Sequence, residues 1–261
     1  MSDAAFEFGI VCEAPADQKA ACGLADRVLL EEVDWITHKN LEDYRKWRGA
    51  TMGADFLGWG SVGKEFQTAG LKGVFGRFDG RPGAPDAHAA RRALLLMAAS
   101  ARCPDAVVLM RDSDAEPERR IGLEQARDEW KGPFPVIIGL AEAKRECWVL
   151  NGFDPRNKEE EKRLDGERQR LSLHPVLEAH LLDPSTRGSK KDVKRVLEAL
   201  IPKDEDPKRV RECACLEETP LATLSARGVD TGLTAYIQEV RDRLVPIFKG
   251  NPGPASGRHG S

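Results

Sequence analysis

The chain has 261 residues, with 40 Lys and Arg against 43 Asp and Glu, a net charge of −3, and 41% hydrophobic residues. That apolar content suffices for a core and is too high for a disordered chain, and no run approaches the roughly 18–20 apolar residues of a membrane span. The opening Met1-Ser2-Asp3 lacks the basic segment of a secretory leader, so these readings argue against a membrane protein, a secreted precursor and a uniformly basic nucleic-acid coat, and the expected location is the cytoplasm. Cys12, Cys22, Cys103, Cys147, Cys213 and Cys215 form no CxxC pair and no zinc-type spacing with a histidine, which fits free, buried thiols.

In chain order, residues 6–12 form a short β-prone apolar run ending at Glu13, and residues 17–30 repeat Ala, Leu and Val at helical spacing. Residues 33–36 have the composition of a second short strand. The segment 38–86 differs in texture, with ten glycines between Gly49 and Gly83. Residues 87–101 predict a helix with an Ala/Leu face. Residues 106–110 (Ala-Val-Val-Leu-Met) read as a strand buried on both faces. Residues 117–130 predict a helix opened by proline, and residues 134–140 another buried strand. Strand and helix thus alternate four times, the rhythm of a parallel sheet with crossover helices. Beyond Lys158 only helices are expected, over 158–169, 190–200, 207–215 and 233–248, and the Gly/Pro/Ser-rich residues 250–261 read as a disordered tail. The fold class is therefore α/β: a parallel sheet of about four strands in residues 1–155, a Gly-rich insertion over about 38–86, and a helical extension over 156–249 packed on the sheet.

Ligands of a parallel sheet gather beyond the carboxyl ends of its strands. Glu13 follows the first strand, and Asp112-Ser113-Asp114 follows the strand at 106–110 with Glu116 close behind. Alternation places Asp112 and Asp114 on one side of an extended segment. Neighbouring carboxylates repel unless a cation lies between them, and oxygen ligands without His or Cys suit Mg²⁺ or Mn²⁺. The competing reading of an isolated DxD is a loop with one capping and one solvated aspartate. Gly58-Trp-Gly-Ser-Val-Gly63-Lys64 does not complete a phosphate-loop pattern and reads as a flexible loop. No GxSxG or Walker motif occurs, and the five histidines have no metal-ligand spacing.

On these residues the chain resembles the TOPRIM family, the metal-binding α/β module of topoisomerases, bacterial primases and OLD-type nucleases. The likeness rests on Ile10-Val-Cys-Glu13, on Val107-Val-Leu-Met-Arg-Asp112-Ser-Asp114, on the acidic Asp17, and on Glu146-Cys-Trp148 after the fourth strand. It covers residues 6–155 and extends to small bacterial TOPRIM-like proteins associated with phage defence. The chain departs from the family in carrying Ala14-Pro15 after Glu13 and Glu116-Pro117 after the DxD, where the family favours glycine. The resemblance implies that Asp112 and Asp114 hold a divalent cation with Glu13 as ligand or general base, that Asp17 is a further acidic ligand, and that Glu116 and Glu146 complete a second cation site. It further implies a lysine beyond the core, for which Lys190 and Lys191 are the candidates. Trp148 is read as core.

The implied activity is Mg²⁺- or Mn²⁺-dependent phosphodiester cleavage of nucleic acid, DNA rather than RNA, in anti-phage defence. The alternative is a degenerate, non-catalytic TOPRIM-like partner or sensor subunit of a multi-protein system; a DxD glycosyltransferase would need an acceptor domain that the sequence lacks. TOPRIM nucleases often act with an ATPase, and the chain supplies no Walker motif, so an ATPase or other defence protein is an expected partner. The helical tail offers a surface for a homodimer. Residues 38–102 carry a net +5 and residues 1–37 a net −6, and seven of the 16 aromatics lie in the insert. Basic groups among aromatics suit phosphate contact and base stacking, so Arg45, Lys46, Arg48, Lys64 and Lys72 are expected to lead a strand to the acidic site. The bland reading is that these aromatics pack the insert onto the sheet.

Overall fold

A computed structural model describes residues 5–72, 76–201 and 207–250. Its centre is a parallel sheet in the order β2 (Arg45–Arg48), β1 (Phe6–Cys12), β6 (Ala106–Asp112), β7 (Val136–Ala141). A fifth short strand, β3 (Leu57–Gly58), also pairs with β1. Arg45 to Arg48 lie beside Phe6 to Gly9, and Leu57 and Gly58 lie beside Val11 and Cys12, so β2 and β3 together make one interrupted edge strand. Between them residues 49–56 loop out. The loop closes through Gly49 N–H donating to the Ala54 carbonyl, and Gly49 sits so close to Phe56 that a Cβ would lie 2.6 Å from its carbonyl oxygen. A separate hairpin joins β4 (Arg77–Phe78) to β5 (Arg81–Pro82).

The sheet is apolar on both faces because each face is covered. Phe8, Ile10, Cys12, Ala106, Val108, Met110 and Ile137 point to one side. That side is covered by α1 (Pro15–Glu32), α6 (Arg145–Asn151) and the later helices: α7 (Lys158–Leu171), α8 (Val193–Leu200), α9 (Pro207–Glu217), α10 (Leu221–Arg227), α11 (Leu233–Arg243) and α12 (Val245–Lys249). Val11, Val107, Leu109, Val136, Ile138 and Leu140 point to the other side. There α3 (Val62–Thr68), α4 (Ala87–Ala98) and α5 (Glu118–Asp128) pack, together with Trp59, Phe66 and Phe78. A short α2 (Leu41–Tyr44) leads into β2. The continuous apolar runs of β6 and β7 follow from this two-sided burial.

The last helices are tied to the first elements. The Tyr236 hydroxyl donates to the Ala21 carbonyl (2.7 Å), Trp148 Nε1 donates to the Thr231 carbonyl (2.7 Å), and Phe248 packs on Phe6 and Phe8. Arg27 donates to the carbonyls of Leu216 and Thr219. Helix α11 covers the outer edge of β7, where Glu239 Oε2 accepts the Ile138 N–H at 3.3 Å.

Several expected elements shift. Residues 33–36 are a turn rather than a strand: Val33 and Ile36 are buried against the core, and the strand that joins β1 is the charged Arg45–Arg48, anchored by its ion pairs. The helix expected over 233–248 breaks at Leu244, because Pro246 has no N–H to continue the ladder, and resumes as α12. Gly58 to Lys64 is an ordered strand-turn-helix, not a flexible loop. Its amides are already engaged, Trp59 N–H by Cys12 and Ser61 N–H by Gly58, and Glu65 faces the Ser61 hydroxyl. Cys12, Cys22, Cys147 and Cys215 are buried as expected, whereas Cys103 is exposed and Cys213 half-buried. The tail at 251–261 and Phe75 lie outside the described residues. Among the described residues no helix is long and apolar enough to cross a membrane.

Candidate functional site

The carboxyl ends of β1 and β6 are adjacent in the ladder, and the turns beyond them bring the predicted carboxylates to one end of the sheet. They fall into two groups, each organised by an arginine.

In the first group Arg145, at the start of α6, has its guanidinium 3.3 Å from Asp17 and 3.5 Å from Glu146. Its backbone N–H donates to Asp112 Oδ1 at 2.8 Å. Asp17 accepts the Ala14 N–H at 3.0 Å, which fixes the first turn of α1. Burial pushes the Asp112 carboxyl up from its ordinary value of 3.8 to about 7; the Arg145 amide opposes this, and Asp17 and Glu146 add to it by repulsion. Burial also raises Asp17, against the pull of Arg145. Glu146 is 12% exposed, and Lys194 on α8 approaches it at 3.8 Å.

In the second group Arg119 on α5 contacts Asp114 (2.9 Å), Glu116 (3.1 Å) and Asp86 (3.6 Å). Lys144 Nζ donates to Asp114 Oδ1 at 2.6 Å. Burial works against the Lys144 charge, but the hydrogen bond and charge of Asp114 outweigh it and hold the ammonium above its ordinary range. Arg111 extends this second group to Glu13: it reaches Glu13 at 2.9 Å and Asp86 at 3.1 Å, and its guanidinium lies over the Trp59 ring, 5.3 Å from the centroid.

Asp112 and Asp114 do not share a side as strand alternation predicts. The chain leaves the extended region at Asp114 (φ 49°) and Ala115 (φ 62°), which turns Asp114 toward Lys144 and Arg119 while Asp112 faces Arg145. Ala115 adopts the left-handed conformation that glycine favours, and Ala143 (φ 65°) does the same across the site. Such residues cost about 1 kcal/mol each. Glu116 belongs to the Arg119 group and Glu146 to the Arg145 group, so the two do not complete one cation site.

The oxygen donors are of the right kind for Mg²⁺ or Mn²⁺, but their arrangement does not fit one. Arg145 stands between Asp17 and Glu146, Asp112 is held by an amide, Asp114 is taken by two cations and Glu13 by Arg111. Among the described residues no three acidic, His or Cys side chains converge as a metal-ligand set.

The remaining predicted residues lie elsewhere. Lys190 and Lys191 are exposed in the loop before α8; their backbone carbonyls accept from Arg170 and Asp183, and it is Lys194 that faces the carboxylates. Arg45 is paired with Asp26, which also accepts from Trp47, and Arg48 with Glu7. Both pairs stand beside the amino-terminal half of β1, with Arg48 level with Gly9, four residues or about 13 Å short of Glu13 along the strand. Lys46, Lys64 and Lys72 are exposed. The insert's aromatics are largely packing groups: Trp47 packs against Phe8 with the rings tilted by 52°, while Trp59, Phe66 and Phe78 are buried under the sheet. These placements separate Arg45 and Arg48 from the acidic end.

Sequence reasoning passed over Arg111, Arg119, Lys144, Arg145, Lys194 and Asp86. The signal was present for Arg111 and Arg145, each of which directly precedes a predicted carboxylate. No family model matches this chain, and no curated protein or solved structure matches it.

Proposed function

We propose that this chain is a non-catalytic TOPRIM-like subunit, a partner or sensor within a multi-protein system. The reading rests on one observation: Arg145 stands between Asp17 and Glu146 while its backbone amide holds Asp112. A guanidinium among buried carboxylates neutralises them and fixes their geometry, which is the role a resident cation would otherwise fill. Arg111, Arg119 and Lys144 do the same for Glu13 and Asp114. Such a network stabilises a turn-rich end of the sheet and presents a surface of fixed, alternating charge to a partner, for which an ATPase is the natural class in a system of this kind.

A second reading, a phosphodiester-cleaving enzyme acting on DNA, draws support from Asp112. A carboxyl held at about 7 is poised to exchange a proton near neutrality. The two readings separate in a cleavage assay on single-stranded, double-stranded and supercoiled DNA with Mg²⁺ or Mn²⁺, run beside Asp112→Ala. The subunit reading expects no cleavage above the Asp112→Ala background. Metal-dependent cleavage that disappears in Asp112→Ala overturns it in favour of the enzyme.

A further inference from the structure

Behind the acidic end lies a cavity of about 460 Å³ between α1, α6 and α9, within the size range of small-molecule sites. Its apolar lining is Ala16, Ala20 and Gly23 on α1, Val149 on α6 and Leu216 on α9, and Glu212 and Glu217 of α9 also line it. Gly23 lies in the interior of an 18-residue helix, where glycine costs about 1 kcal/mol relative to alanine. Its φ is not in the left-handed region, and a Cβ built on it meets nothing within 4 Å. Neither backbone conformation nor packing requires glycine there; what its missing side chain preserves is the depth of the cavity.

One charged side chain is held deep in the wall. Arg145 is 12% exposed, and its contacts to Asp17 and Glu146 are ion pairs at 3.3 and 3.5 Å; its guanidinium makes no hydrogen bond of regular geometry to any described residue. A guanidinium carries five N–H donors in a rigid fork matched to carboxylate or phosphate oxygens. Lys19 stands exposed at the mouth, and the half-buried Cys213 thiol lines the α9 wall.

We infer that this cavity binds an amphipathic small-molecule anion, with an apolar body against Ala20, Gly23, Val149 and Leu216 and a carboxylate or phosphate monoester on Arg145. Burial of the body supplies affinity, and the guanidinium fork supplies the preference for an anionic head group. The inference goes beyond the reading of the carboxylate site but shares Arg145 with it, so the anion joins Asp17 and Glu146 on the guanidinium; its readout is dye binding, which does not depend on whether the chain cleaves DNA.

The test uses the full chain in a Cys103→Ser background, which leaves the exposed thiol out of the readout. Anilinonaphthalene sulfonate, an aromatic body with an anionic group, is titrated by fluorescence, and octanoate, octyl phosphate, octylamine and octanol then compete. One-to-one binding is expected, with octanoate or octyl phosphate displacing the dye at least about tenfold more effectively than octylamine or octanol; the better of the two acids identifies the head group. Gly23→Leu, checked for native melting by circular dichroism, is expected to weaken dye binding by about tenfold or more, and the displacing acid to slow alkylation of Cys213 by iodoacetamide. Equal displacement by octylamine, or unchanged dye binding in a folded Gly23→Leu, overturns the inference. If Gly23→Leu does not fold, Cys213 protection decides, and an alkylation rate indifferent to octanoate and octyl phosphate refutes it.

Discussion

Asp112 offers the sharpest measurement. In the unfolded chain its carboxyl titrates near 3.8, and in the folded protein burial lifts it to about 7. Between these values the folded state holds a proton that the unfolded state has lost, so stability falls as pH rises through this window and levels off above it. The rise corresponds to about 4 kcal/mol at pH above both values, an upper bound before local relaxation. Asp112→Asn keeps the oxygen that accepts the Arg145 N–H and removes the charge. Urea unfolding of wild type and Asp112→Asn from pH 5 to 8.5, with a chelator present, should show the variant gaining on the wild type by up to about 1.4 kcal/mol per pH unit until near neutrality. The gap should then stay constant, at about 2–4 kcal/mol in favour of the variant. Parallel stability profiles across the whole range would refute the argument, because they would mean that Asp112 is ionised in the folded protein without cost.

Other consequences follow from the same geometry. Ala115→Gly and Ala143→Gly relieve left-handed backbone and should each raise stability by about 1 kcal/mol in denaturant titration; a loss of stability in both would contradict the strain. Arg45→Ala removes the partner of the mostly buried Asp26 and should cost about 2–4 kcal/mol, while leaving the salt dependence of any nucleic-acid binding unchanged. A lowered salt slope with intact stability would restore Arg45 to a binding role. Glu239→Ala frees the Ile138 amide and the arginines at positions 127 and 243, so hydrogen exchange along β7 should accelerate, and exchange identical to wild type would show that the edge needs no cap.

The sheet was legible because its strands are buried on both faces: 106–110 and 134–140 cannot be solvent-exposed turns. The charged edge was not. Arg-Lys-Trp-Arg at 45–48 has no alternating apolar face, and it becomes a strand only because β1 offers an open ladder and because Asp26 and Glu7 stand where the arginines land. The apolar residues 33–36 misled for the opposite reason, since burial at a turn looks like burial in a strand. At the site the carboxylates were found from their places after strands, yet alternation failed at Asp114, where a positive φ breaks the extended geometry on which alternation depends. The cations were missed because a flanking arginine reads as solvated until the helix that carries it is placed. Arg145 and Glu146 are neighbours in a charged run that looks solvated, yet the start of α6 turns both inward.

The ties between the two ends of the chain set the order in which it can mature on a ribosome. Phe6 and Phe8 on the first strand wait for Phe248, and Ala21 waits for Tyr236, 215 residues later. Until the last helices emerge, β1 and α1 have an unfinished apolar face, and β7 has an edge that α11 has not yet reached. The core therefore closes only once residues 233–249 have been made. A nonsense mutation or a cut near residue 232 would leave a chain that cannot bury its own first strand, and it should be degraded or aggregate rather than survive as a trimmed α/β domain.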